Sequence, residues 1–93
     1  MVVGTLEVHL RIEGCRSLKD KRHVLRPLIE RLRRDFHVAA AEVADNDLWN
    51  VATIGVACVS TTRTHAEQIM QSVTTAIDEG VEYTVEAVHH EYI

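Results

Sequence analysis

The sequence predicts an α+β sandwich whose elements follow in the order β-α-β-β-α-β. Three observations carry that expectation. The first and last segments alternate apolar and polar residues with a period of two. Two internal segments repeat apolar residues at helical spacing behind capping side chains. Each of the two βαβ units must cross over right-handed, which puts both helices on one face of the sheet. A ferredoxin-like sandwich satisfies all three, with an antiparallel sheet of strand order 4-1-3-2 and its other face open.

Each element has its own signal. In residues 2–12, Val2, Leu6, Val8, Leu10 and Ile12 share one face, and Thr5, Glu7, His9 and Arg11 share the other. Glu13 and Gly14 end that strand. Ser17 reads as a helix N-cap, with Asp20 a shorter stand-in for the Glu or Gln of a capping box. Leu18, Leu25, Leu28, Ile29, Leu32 and Phe36 then form one helical stripe. Pro27 interrupts it, because a proline in a helix interior lacks the N–H donor and crowds the preceding turn. The expected form is a continuous, bent helix; the alternative is a regular helix that begins just before Pro27. A small-residue strand follows at 37–44. Asp45-Asn46-Asp47 makes a turn, and residues 49–60 form a third strand with Ile54, Val56 and Cys58 on one face. The second helix starts near Thr62 or Thr64, where Thr64-His-Ala-Glu67 spells a capping box. Its stripe is Ala66, Ile69, Met70, Val73, Ala76 and Ile77, and Gly80 stands at its stop. Residues 82–90 alternate as the last strand. The open sheet face should then show Thr5, Glu7 and His9 beside Thr84, Glu86 and His90.

Length and composition bound the rest. The 93 residues are expected to form one domain over 1–93, and 46% hydrophobic with 26% charged residues is a globular composition, not a disordered one. The longest apolar run, Ile54 to Val59 around Gly55, falls far short of the ~20 residues of a membrane span. The N-terminus lacks the basic and apolar regions of a signal peptide. The two cysteines, Cys15 and Cys58, form no C-x-x-C pair. A reducing cytoplasm fits them, with no membrane partner.

Charge is the strongest functional hint. Eight of the ten basic residues lie between Arg16 and Arg34, opposed only by Asp20 and Glu30, a local net of +6 in a chain whose total is −4. Such asymmetry points to an anionic partner. Lys19, Arg22, Arg26 and Arg33 share a stripe beside the apolar one. Glu30 lies in that stripe too, four residues from both Arg26 and Arg34, where i,i+4 pairing would neutralise part of it. Arginine suits phosphate because its planar fork can bind two oxygens.

The segments Gly14-Cys-Arg-Ser-Leu-Lys-Asp-Lys-Arg22, Val24-Leu25, Arg31-Leu32-Arg33 and Phe36 resemble the YlxP-like family of small bacterial proteins of unknown function. So do Ala41-Glu42-Val43, Asp47-Leu48-Trp49 and Gly55-Val56-Ala57, over about residues 1–79. The resemblance implies a ferredoxin-like fold and a bacterial cytoplasmic location. The family's genes often lie among those for translation initiation and ribosome maturation factors, which connects it to RNA by association. It supplies no catalytic residue. Pro27 and the His89-His90-Glu91 tail depart from the family pattern.

The remaining constellations are weaker. His9, His90 and Glu7 could meet if the outer strands are neighbours, yet nothing in their spacing enforces a metal geometry. Asp45-Asn46-Asp47 lacks the glycine and distant glutamate of a calcium loop. The strand positions where RNA-recognition motifs carry stacking aromatics hold Thr5, Glu7, Thr53 and Ala57. Trp49 reads as a packing residue at the start of the third strand, with a contact role as the alternative. Cys15 lies beside Arg16 and a helix start, surroundings that lower a thiol pKa, but it has no partner base. No phosphate-loop, dinucleotide or nucleophile-elbow motif occurs.

The expected function is a non-catalytic accessory protein that binds RNA or the ribosome, with phosphate contacts from Arg16, Lys19, Lys21, Arg22 and Arg26. No metal and no cofactor is expected. The alternative is a homodimeric small-ligand or regulatory domain, joined through the open sheet face, that grips an anionic metabolite or an acidic protein.

Overall fold

The computed structural model describes residues 1–93. Its elements are β1 (Val2–Arg11), α1 (Leu18–Phe36), β2 (Ala39–Ala44), β3 (Val51–Ser60), α2 (Arg63–Asp78) and β4 (Thr84–Tyr92). The sheet order is β2-β3-β1-β4, with every neighbour antiparallel. That is the expected ferredoxin-like order read from the other edge.

The alternation in β1 decides which face is buried. Leu6, Val8, Leu10 and Ile12 meet Ile54, Val56 and Cys58 from β3, Leu25, Leu28 and Leu32 from α1, and Met70, Val73 and Ile77 from α2 in one core. Each such side chain contributes roughly 1.5–3 kcal/mol on full burial. The β1–β3 register runs unbroken from Val2↔Ser60 to Arg11↔Val51. A one-residue slip would turn the whole apolar set outward, so the register is strongly specified.

Both helices begin at identifiable caps. Ser17 is extended and its Oγ accepts from the Asp20 N–H at 3.1 Å, while Asp20 Oδ2 accepts from the Arg16 N–H at 3.0 Å. Asp20 thus closes the capping box one residue further out than a glutamate would. Gly14, at φ +77°, makes the reversal that leads into this cap. For α2 the cap is Thr62, whose Oγ1 accepts from the His65 N–H at 3.1 Å, not the box expected at Thr64. Gly80 ends α2 for a packing reason: the Tyr83 ring lies where a Cβ would be, and the Tyr83 hydroxyl donates to the Ile77 carbonyl at 2.5 Å.

Helix α1 is continuous through Pro27. Pro27 cannot donate to the His23 carbonyl, but both residues are exposed, so water can take the missing donor's place.

The strand boundaries depart from expectation in two ways. Strands β2 and β3 start two residues later than the sequence indicates, which lengthens the turn between them. Strand β4 starts and ends two residues later, and a bulge interrupts its pairing with β1 between His9 and Leu10. A bulge shifts the alternation by one residue. His89 therefore pairs with Glu7, and Glu91 with Thr5, on the open face, while His90 pairs with Leu6 on the helix side.

Candidate anion-binding ridge

Helix α1 carries its cations on several faces, and the structure separates them into three groups. Arg16, Lys19, Arg22 and Arg26 form the first. All four are exposed and none lies within 4 Å of a carboxylate. Positions 19, 22 and 26 are three and four residues apart, so they stand above one another on one face. Arg16 precedes them in the segment just before the cap, three residues ahead of Lys19. Lys19, Arg22, His23, Arg26, Pro27 and Glu30 line an open surface depression of about 390 Å³.

The second group comprises Arg31, Arg33 and Arg34, all engaged. Arg34 Nε sits 2.9 Å from Asp35 Oδ1, and Arg31 approaches Asp35 at 3.7 Å and Glu79 at 3.8 Å. The Arg34 hydrogen bond holds the Asp35 carboxyl below its ordinary range, with Arg31 adding to it. Arg33 turns to the sheet edge, where Nε and Nη2 donate to the Ala40 carbonyl at 3.0 and 2.6 Å. That contact occupies one of the free carbonyls of the edge strand β2, a group otherwise open to strand addition. The pairing expected for Glu30 is not formed: no cation lies within 4 Å of its carboxylate.

Lys21 stands alone and corrects the expected contact set. It is 2% exposed, buried among core residues. Its Nζ meets Glu42 Oε2 at 2.5 Å, the Asp45 carbonyl at 2.8 Å and the Leu48 carbonyl at 2.5 Å. Two of the three ammonium donors go to the carbonyls, and the Glu42 carboxylate lies against the same nitrogen as its counter-charge. Glu42 Oε2 is itself buried with Lys21 as its only partner. Lys21 therefore ties α1 to the β2–β3 turn and cannot reach a phosphate. The signal was present in the sequence: Lys21 precedes Leu25 by four residues and Leu28 by seven, which puts it on the apolar stripe.

Trp49, Cys15 and the partner of His9 fall differently from the reading of the sequence. Trp49 lies ahead of β3 in the turn and is 46% exposed, beside Leu48 at 49%. It does not pack into the core. Cys15 is buried, and burial first, then the Asp20 and Glu82 carboxylates, push its thiol above the ordinary range, with Lys21 pulling the other way. A raised thiol pKa leaves it protonated and unreactive at neutral pH. On the open face His9 meets His89, not His90, edge-on at 5.6 Å between ring centres. No three His, Cys, Asp or Glu side chains converge with a metal-binding geometry. Thr53 is buried, with its hydroxyl donating to Asp45 Oδ2 at 3.1 Å and His9 Nδ1 at 3.2 Å from it. No helix is long and apolar enough to cross a membrane.

Comparison with known proteins adds three findings. The model of a family described as "Protein of unknown function (DUF503)" matches residues 3–90. The uncharacterized protein YlxP of Bacillus subtilis is 34% identical over 77 residues, which cover 83% of this chain and 84% of that protein. In three dimensions the chain is similar to the solution NMR structure of a de novo designed protein with a ferredoxin fold. The TM-score is 0.60 and the identity 13%, over 94% of this chain and 87% of the other. That likeness bears on the fold alone.

Proposed function

Because the chain belongs to the DUF503 family, which is described as of unknown function, we propose its role from its own surface: a non-catalytic accessory protein of the bacterial cytoplasm that binds RNA, or the ribosome, through the first half of α1. One observation supports this reading above the others. Of ten Lys and Arg residues, six are held by a carboxylate or a carbonyl of the same chain. The four that are not, Arg16, Lys19, Arg22 and Arg26, are neighbours. Unpaired cations in a row cost nothing to withdraw from internal partners and repel one another until an anion arrives. A polymer with regularly spaced phosphates relieves that repulsion along the whole row. Such contacts position a protein on nucleic acid without reading its sequence.

The test is RNA binding, followed by fluorescence anisotropy of a labelled strand at 50 and 200 mM salt. Wild type should bind with a clear negative salt dependence. The double variant Arg22→Glu with Arg26→Glu should weaken binding by more than about tenfold and leave the melting temperature unchanged, since neither residue has a partner to lose. Equal binding by the variant contradicts the reading.

A second reading has its own supporting observations. The depression between Lys19, Arg22, His23 and Arg26 is large enough for a phosphorylated metabolite. On the open face, Val59 at 65% exposure and Val43 at 51%, with Gly55 and Ala57, offer an apolar half against which a second copy could pack. This alternative is a homodimeric ligand-binding or regulatory domain. A rise in melting temperature with phosphorylated metabolites, and no affinity for RNA, would favour it.

A further inference from the structure

The row of free cations explains attraction to a phosphate backbone but leaves an exposed tryptophan unused. We infer that Trp49 is a stacking platform, and that the ridge's partner is single-stranded RNA with an unpaired base lying on the indole. This inference rests on the reading of α1 as an RNA contact and specifies the class of RNA.

Three features of the turn between β2 and β3 support it. First, Trp49 is held from both sides. The carbonyl of Leu48 before it is fixed by Lys21 Nζ at 2.5 Å, and the carbonyl of Asn50 after it accepts from the Ile12 N–H at 2.8 Å. A large aromatic on a pinned backbone, still 46% exposed, is preorganised for contact rather than for packing. Second, the two anchors determine where it sits. Lys21 belongs to the same helical turn as Lys19 and Arg22, on its buried side, and Ile12 opens the short segment that leads to Arg16. Trp49 is therefore tied to the same end of the molecule as the cation row. Third, its neighbours carry the wrong charge for phosphate. Asp45 and Asp47 are exposed on this turn, and with Asn46 they leave it negative at neutral pH. A polynucleotide backbone is kept on the α1 side, and only a base, which is neutral, is free to lean onto the turn.

The chemistry then excludes a duplex. In an A-form helix the bases are stacked on one another and cannot lie on a side chain, whereas unpaired bases stack on Trp at ~1–3 kcal/mol each. The aromatic positions of RNA-recognition motifs are empty on this open sheet face. Trp49 supplies that function from the turn instead.

Trp49 is the only tryptophan in the chain, so its emission reports this one site. The experiment titrates the wild-type protein with an unlabelled 12-nucleotide single-stranded RNA, with duplex RNA of the same length and with inorganic polyphosphate. Anisotropy of labelled RNA gives affinities in parallel. Single-stranded RNA should quench the emission, while duplex and polyphosphate should leave it nearly unchanged. Trp49→Ala should weaken single-strand binding by roughly 5- to 150-fold without altering the salt slope, and Trp49→Phe should restore most of the loss. Single-strand binding without quenching, or with Trp49→Ala equal to wild type, overturns the stacking inference and leaves the cation ridge standing. A wild type that binds no RNA overturns both. Quenching in the wild type is independent of whether any variant folds.

Discussion

The two halves of α1 are built from the same residue types and put them to opposite uses. Before Pro27, Lys19, Arg22 and Arg26, with Arg16 just ahead of the helix, face solvent without a partner. After it, Arg31 and Arg34 are neutralised by Asp35 and Glu79, and Arg33 is bound to the β2 edge. The difference is not in the cations but in what the fold brings near them. The second half runs past the end of α2, which supplies Glu79, and along β2, which supplies the Ala40 carbonyl. The first half has Glu30 in the lining of its depression, yet no carboxylate lies within 4 Å of its free cations, and Glu42 is taken by Lys21 from the buried side. A net charge of +6 on paper thus becomes four free charges, three in a row on α1 and one just ahead of it.

Removing Lys21 would break the comparison most severely, since Lys21 lies in the first half yet is neither free nor paired at the surface. Lys21→Ala leaves Glu42 buried without a counter-ion and frees two carbonyls of the turn. It should lower stability by about 3–5 kcal/mol in chemical unfolding. Lys21→Met combined with Glu42→Leu should recover much of that loss, because the orphaned charge is gone. Equal destabilisation by the single and double variants would show that the two carbonyl contacts, not the ion pair, carry the effect.

Pro27 marks the junction, and Pro27→Ala sharpens the distinction between the halves. The helix regains a donor for the His23 carbonyl, against a small loss of stiffness in the unfolded chain. The expected gain is about 1–3 kcal/mol, read as a higher Tm. RNA affinity should change little, since the cations lie three and four residues apart with or without the proline.

The smallest effect concerns Asp35, whose lowered pKa has a definite sign. A carboxyl depressed in the folded state adds stability above its unfolded pKa and loses that stability as pH falls through the folded value. Asp35→Asn should therefore lower Tm slightly at neutral pH. The gap to wild type should close in acid, below the ordinary carboxylate range. A gap that widens in acid would contradict the assigned pairing. The magnitude is small because Asp35 and both arginines are exposed.

The fold was largely legible in the sequence because β1, α1 and α2 each carry a strong period and a cap. Residues 2–12 could be placed from alternation alone, and Ser17 with Asp20 announced the start of α1. What escaped was non-local. The bulge opposite His9 leaves no trace in the pattern of β4 alone, yet it exchanges His89 for His90 on the open face. Lys21 sits on the apolar stripe, but its burial depends on Glu42 and two carbonyls that only the tertiary fold delivers. Trp49 was read as strand because β3 was begun two residues early, and the anchors that hold it exposed come from Ile12 and Lys21. The site was legible as charge and illegible as pairing: the sequence shows where cations are, and the fold decides which of them are free.

The salt dependence of single-stranded RNA binding tests the central claim most directly, because it counts the cations that touch phosphate. Four contacts predict a slope of about −2.8 for log K against log salt, falling to about −1.4 in Arg22→Ala with Arg26→Ala. Arg31→Ala with Arg34→Ala should keep the wild-type slope. Equal reductions in the two double variants, or a wild-type slope near zero, would contradict the division of α1 into a free half and a paired half.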